Sequence, residues 1–587
     1  MVGPQYDLLA NPLGAIRSTF ENAIASGTDP TSLNRCDWGA VDLFRQFLAD
    51  ESNFSQVPVL TAATIRHVKP NTLVRFRGFI QDMFGNECYI GAYKDGSAWR
   101  TNKFMDFSPV PMASPSPDTL IWERRVHYCI PIPGLNPWAE VGNDSMDWTS
   151  EQRVKRRRPE DDSPDMPVSC DNDQGSPSTK KMREGEDSSL TTKSQRASLE
   201  IAVSSTSLMS GLDSNSPACI VKIYDTPDSE LNLNDIFEFV GILTDPVLHE
   251  DNEDSELSNS ELSNELCAEF MHPKVPRLHC LIHRKLAVQD FIQNNPILEP
   301  KPDLVKGIRE TFSRHLSSVL GNDDVAAHFV LLHLFSKVHA RVDDHFPVGN
   351  LSVNLTSFSK ETASIFGSQL TLVVKNLLPF THSIPLTVEY LNTASLVPTK
   401  NYETDRLETA VLQMAESSHL IVDETKLEAG SLNSVGVENV RLLGDLVELQ
   451  KVDYNFMYCT MPIETDVQVL VLSEGKSNIL PADVIVPFQP SATNCSEAVA
   501  AETLEAWRWY LATVRQLPHS IGSEVQKVVE NDFVEARQTD RSLTPQDFSR
   551  LLTMGRLMSK SFGETSLSLE HWQMVKDLER LRRERLK

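Results

Sequence analysis

The run Leu420-Ile421-Val422 ends on the acidic pair Asp423-Glu424, and it constrains the fold more than any other stretch. A short apolar run bounded in this way reads as a buried parallel strand, because crossover helices cover both faces and leave no polar side. After a loop containing Gly430, the sequence predicts a helix over 436–450 with Val437, Val440, Leu443 and Val447 on one stripe. Strand, acidic pair, loop and amphipathic helix make half of a nucleotide-binding core. Two carboxylates at the carboxyl end of such a strand are where a P-loop ATPase holds its magnesium and its water. The other half, a GxxxxGK[ST] loop, does not occur in the sequence. That loop needs glycines so that backbone N–H groups can cradle phosphate, a Lys for the terminal phosphates and a hydroxyl for the metal. In its place the strand-like run 349–355 leads into Thr356-Ser357-Phe358-Ser359-Lys360, with no glycine and no Lys-Ser/Thr pair.

At 587 residues the chain is too long for one core, and two or three domains are expected. Its net charge of −26 argues against a main task of gripping a phosphate backbone, which depends on Lys and Arg displacing counterions. A protein partner with basic surfaces fits better. The nine cysteines are scattered without a CxxC, so neither a zinc ribbon nor a disulfide framework is indicated and a reducing compartment is expected. His279 and His283 have metal-like spacing but no third ligand nearby, which favours polar positions in a strand. His328, His333 and His339 do not converge on one helix face. The sequence has no run of eighteen apolar residues and no basic, apolar leader, so a soluble intracellular protein is expected, with no membrane partner.

In chain order, residues 1–60 read as helical, with Asn11-Pro12 opening one helix and Asp37 capping another. Residues 61–139 turn to strands, with Leu73 to Ile80 alternating and Cys88-Tyr89-Ile90-Gly91 continuing after Gly85-Asn86. Residues 140–197 are poor in aliphatics and read as a disordered linker. It carries two basic clusters, one at Arg153, Lys155, Arg156, Arg157 and Arg158 and one at Lys180, Lys181 and Arg183. They fit a nuclear address read by an import adaptor, since the neighbouring Glu160, Asp161, Asp162 and Asp165 oppose nucleic acid. Strands resume over 198–290, interrupted by an acidic insertion at 247–272, and the two strand sets together suffice for one OB-like β unit. From 303 to 495 helices at 303–319 and 323–340 precede strands at 351–355, 384–390, 419–423 and 467–472. Residues 498–587 are helical throughout, including a helix N-capped at Thr544-Pro545. The expected class is multidomain α+β and α/β: an N-terminal helical region, an OB-like β unit, and an AAA+-like α/β domain with a C-terminal helical lid.

The segments LVRFRGFIQDMF (73–84), ERRVHYCIPIPG (123–134), PACIVKIYD (217–225), VDET (422–425), GVENVRLLGDLVELQKVDYNF (436–456) and LSEGKSNILPADVIVPF (472–488) resemble the minichromosome maintenance (MCM) complex-binding protein family over nearly the whole chain. The resemblance implies a nuclear protein that binds subunits of the replicative MCM helicase, helps remove the complex from chromatin, and supports sister-chromatid cohesion, its own chromatin association being indirect. A more distant likeness runs to the helicase subunits themselves. GNDDVAAHFVLLHLF (321–335) is similar to the helix that opens their ATPase domain, LVRFRGFI and NDIFEFVGIL (234–243) to strands of their OB fold, and LTPQDFSRLLTMGRLMSKSF (543–562) to a lid helix.

Against that pattern the phosphate loop is missing, Ser473 stands near the position of a γ-phosphate sensor, Pro481-Ala482 at the finger arginine, and Gln546 at about a lid arginine. Losing a finger alone costs on the order of 10³ in rate, so a non-catalytic binding protein without cofactor is expected. Asp423-Glu424 then reads as a polar pair capping the next loop. The candidate partner contacts are Val437, Asn439, Val440, Arg441, Gln450 and Tyr454 on and beside the 436–450 helix. Two other readings are an atypical ATPase built around Lys360, Asp423 and Glu424, and a single-strand nucleic-acid binder. The latter would use Arg75 and Arg77 with Phe76, Phe79, Tyr89 and Tyr93, although alternation is expected to place the aromatics in the core, opposite the arginines.

Overall fold

The computed structural model describes residues 7–29, 36–61, 63–106, 117–140, 218–227, 230–244, 275–292, 301–343, 346–492 and 499–587. Both basic clusters, most of the linker and the acidic insertion at 247–272 lie outside them.

Six strands form the first sheet: β1 (Leu73–Asp95), β2 (Ala98–Thr101), β3 (Thr119–Ile130), β4 (Cys219–Ile223), β5 (Ile236–Thr244) and β6 (Arg277–Lys285). Their order is β2-β1-β3-β4-β6-β5, and β1 also pairs with β5, so five of them close into a ring. Within the ring β4 and β6 run parallel and the other neighbours antiparallel. Strands from both sides of residues 141–217 therefore belong to one barrel. Its interior takes side chains from all five strands, among them Phe76, Cys129, Val221, Phe239 and Cys280. Outside, Leu73, Trp122 and Ile242 pack under the helices Pro12–Ala25 and Ala40–Leu48. Asn11 and Asp37 both cap those helices, Asp37 reaching the N–H of Val41 at 2.8 Å.

The second layer is a five-stranded parallel sheet in the order Thr381–Pro385, Ser418–Asp423, Val467–Leu472, Val353–Thr356, Val484–Pro487. Leu420, Ile421 and Val422 are buried on both faces, as a covered parallel strand requires. Helices Pro302–Val319, Asp324–Phe335 and Ser368–Leu377 cover one side, together with the C-terminal helices Ala501–Gln516, Pro545–Ser561 and Leu569–Leu586. Ser434–Leu449 covers the other.

Several sequence expectations are corrected here. The strand placed at 384–390 is instead the strand Thr381–Pro385 followed by the helix Val388–Thr393, because Thr387 accepts the Tyr390 N–H and caps it. The helix placed at 323–340 stops at Phe335, since Lys337 and His339 donate their N–H groups to Gly349 and Val348 instead. Phe79 does not share a face with Phe76. It points outward with Ile132, Phe291 and Phe380, beneath the α/β layer.

That outward packing joins the barrel to the α/β layer in one compact unit. Buried polar groups fix the junction. The Gln81 side chain donates to the Leu407 carbonyl at 2.7 Å, Asp82 accepts the Leu407 N–H at 2.8 Å, and Gln413 donates back to the Gln81 carbonyl at 3.0 Å. Asn136 donates to the Leu378 carbonyl at 2.6 Å.

Candidate partner-binding face at the strand ends

In open parallel sheets ligands bind in the crevice outside the carboxyl ends of the strands. Here that crevice falls between Val353–Thr356 and Val467–Leu472, which are neighbours although their connections leave in opposite directions. It is filled by the chain itself. The loop after the first strand donates its Ser357 N–H to Glu474 O and its Phe358 N–H to Ser473 O, both at 3.0 Å. Asn354 donates to Ser473 Oγ at 2.8 Å, and that hydroxyl donates to Gly475 O at 2.6 Å. Phe358 is fully buried and stacks on Phe488 at 4.5 Å. The N–H groups that a phosphate loop would offer to an anion are spent on carbonyls.

Asp423 and Glu424 stand at the end of Ser418–Asp423, the second strand of the sheet, and each has local work. Asp423 accepts the Thr425 N–H at 3.2 Å and its hydroxyl at 2.5 Å, capping the turn Glu424–Lys426, and Lys426 lies 3.3 Å away. Glu424 is half-buried. Burial raises its pKa against a hydrogen bond with Ser477 that lowers it. Lys360, the third member of the atypical ATPase reading, is exposed and pairs with Glu428 at 3.0 Å. The chain also holds Gly475-Lys476-Ser477, the closing triplet of a phosphate loop, but Leu470 stands where the first glycine belongs. No helix follows it, and Ser477 Oγ accepts the N–H groups of Ile479 and Leu480. Gln546 is exposed in the first turn of Pro545–Ser561.

The candidate contact residues divide sharply. Val437 is 60 % exposed, Arg441 is exposed, and Val440 is half-buried. Arg441 is held by Glu438 at 2.7 Å and Asp445 at 2.5 Å. Val440 and Arg441 line an open cleft of about 570 Å³ between the flank of Ser434–Leu449 and residues 476–482, where Pro481 and Ala482 also lie. Asn439, Gln450 and Tyr454 are buried and serve the fold, so no partner reaches them. Asn439 donates to the carbonyls of Leu391 and Ala394, each at 2.8 Å. Gln450 closes the helix in the left-handed conformation, its side-chain Oε1 accepting the Val467 N–H at 2.7 Å. The Tyr454 hydroxyl donates to Asn234 of the barrel at 2.8 Å.

Sequence reasoning missed an exposed patch. The hairpin Lys451–Phe456 with Cys459–Glu464 carries Met457, Tyr458 and Met461 at 65, 88 and 51 % exposure, and Tyr402 stands beside Tyr458. Clustered apolar exposure marks contact surfaces, and the signal available was Met457-Tyr458 between two alternating runs.

The nucleic-acid reading loses its groups to the fold. Arg75 is buried, donating to the Val57 carbonyl at 3.0 Å, and Arg77 pairs with Glu238 at 3.2 Å. Phe76, Phe79 and Tyr89 are buried. His279 is engaged by the Tyr224 hydroxyl at 2.7 Å and Asp106 at 3.2 Å, and His283 faces Glu230.

Residues 44–586 match the family model described as Mini-chromosome maintenance replisome factor. The chain belongs to this family. It is 54 % identical to the Mini-chromosome maintenance complex-binding protein of Arabidopsis thaliana over the full length of both chains. It is 33 % identical to the protein so named in Gallus gallus and 32 % to that in Homo sapiens, covering 99 % of this chain and 98 % of each relative. The match runs through both layers of this chain.

Because burial raises the Glu424 pKa, its fold penalty is absent at low pH and grows as pH rises above the unfolded value through the folded one. Glu424→Gln is expected to melt at a higher temperature than the parent at pH 8 and at the same temperature near pH 4. An equal or lower midpoint at pH 8 contradicts the assignment.

Proposed function

We propose that this protein is a non-catalytic binding partner of MCM helicase subunits, acting in DNA replication through removal of the complex from chromatin and in sister-chromatid cohesion. The family membership and the relatives' names support the partner. The single observation supporting a non-catalytic role is the closed crevice, whose Ser357 and Phe358 N–H groups face carbonyls. The parallel sheet is read as a degenerate AAA+-like core with its lid, and the ring as an OB-like barrel. The acidic pair on the second strand of the sheet favours the first, and the five-stranded closed ring the second. A body of this kind can dock beside helicase subunits in the geometry they use for each other, with side chains in place of nucleotide.

The surface favoured is Val437 with the cleft at Val440 and Arg441, together with the hairpin tip at Met457 and Tyr458. Val437 and Tyr458 are exposed, so replacing them leaves stability within about 0.5 kcal/mol. Val437→Asp and Tyr458→Ser, made together in the full chain, are expected to weaken binding to purified helicase subunits by about tenfold at unchanged melting temperature. Unchanged affinity would sink this surface and return attention to the barrel.

Nuclear localisation is proposed on the sequence of the two basic clusters. Alanine at Lys155, Arg156, Arg157 and Arg158 should leave the tagged protein largely cytoplasmic, and an unchanged nuclear signal would place the address elsewhere.

A further inference from the structure

At the opposite end of the parallel sheet from Asp423, a second cleft of about 420 Å³ opens between the strand beginnings and the C-terminal helices. The strand Ser418–Asp423 alone separates the two ends by about 20 Å. In a chain of net charge −26 this cleft gathers cations. Lys337 and His339 come from the segment after Asp324–Phe335, Arg515 from Ala501–Gln516, and Arg556 and Lys560 from Pro545–Ser561. His519 lies close enough to feel Arg556 and Lys560.

Two carboxylates stand nearby and both are taken. Asp466 holds Arg515 at 2.8 Å and accepts the Val338 N–H, and exposed Glu416 is 3.6 Å from Lys337. Neither Arg556 nor Lys560 makes an ion pair among the described residues. Lys560 is 2 % exposed and donates to the Arg515 carbonyl at 2.9 Å, leaving its charge without a counter-ion. Arg515, 6 % exposed and lining the cleft, has a buried Nε–H without an acceptor, as has the Arg556 Nε–H. Burying unpaired cations is costly, and an anion in the cleft removes the cost.

We propose that this cleft is an oxyanion site that takes a phosphoryl group. Guanidinium and ammonium donors from separate elements converge on it, the arrangement that charge-assisted hydrogen bonding to phosphate uses. The volume admits a phosphate with a residue-sized group attached. Burial, with Arg556, Arg515 and Lys337 nearby, depresses the Lys560 pKa to about 7, so an anion that recharges it carries a proton in. His339 and His519, depressed to about 4 by burial and then by Arg556 and Lys560, stay neutral above pH 6. Glu416 and Asp466 are the carboxylates beside these cations, and His571 with Glu564, next to His519, is the remaining titratable pair. Binding therefore tightens as pH falls from 8 to 6 through Lys560.

The test is calorimetric titration of the full chain with inorganic phosphate, and with sulfate, at ionic strength held constant with chloride. Sulfate keeps its charge across this range and so isolates the protein's titration. Saturable binding of both anions is expected, weakened about tenfold in Arg556→Gln. Lys560→Met should abolish the pH dependence for sulfate, and circular dichroism checks that the variant folds. Lys476→Gln, on the other cleft, should change nothing. No saturable binding by the parent chain, or equal affinity in Arg556→Gln, overturns the proposal. So does weakening by Lys476→Gln instead.

Discussion

Two backbone hydrogen bonds decide what this fold can do. A peptide N–H serves one strong acceptor at a time, and those of Ser357 and Phe358 serve Glu474 and Ser473. Freeing them for a phosphate would mean unzipping the loops that follow two adjacent strands. It would also mean pulling Phe358 from its stack on Phe488 and Phe366. Burying an aromatic ring of that kind is worth several kcal/mol, about 3–5 by truncation. The cleft that remains beside these strand ends is therefore bordered by loops already bonded to each other, and Asp423 and Glu424 follow suit by working on Thr425 and Ser477.

The second dependence is between layers. Gln81, Asp82, Gln413 and Asn136 are buried polar groups whose partners lie across the junction, and Phe79 and Phe380 supply its apolar part. Cutting between residues 290 and 303 would strand these groups and expose that apolar cluster. The protein offers a partner one continuous body, so its surfaces are properly compared by substitution in the intact chain.

Much of this was legible in the sequence where the signal is local. Asn11-Pro12 and Thr544-Pro545 mark helix starts because capping is decided within three residues, and Thr544 with Asp547 forms a capping box. Leu420-Ile421-Val422 marks a covered strand by its lack of any polar side. The rest is decided at long range. Tyr454 reads as a surface residue until its hydroxyl meets Asn234, and Gln450 until it caps Val467. Phe79 follows strand alternation faithfully, on the arginine side, and is buried only because the second layer lies over it. The hairpin Lys451–Phe456 with Cys459–Glu464 alternates in sequence, but its second strand is almost wholly exposed, which alternation alone does not reveal. The four cations of the second cleft come from three separate segments and share no motif.

The central claim is that the crevice at the strand ends is closed to nucleotide. Titration of Mg-ATP into the full chain, followed by calorimetry, tests it directly. The account predicts no saturable binding up to about 1 mM, the upper end of ordinary enzyme substrate constants, beyond any that Arg556→Gln weakens and that therefore belongs to the second cleft. A micromolar dissociation constant that Asp423→Ala abolishes would contradict it.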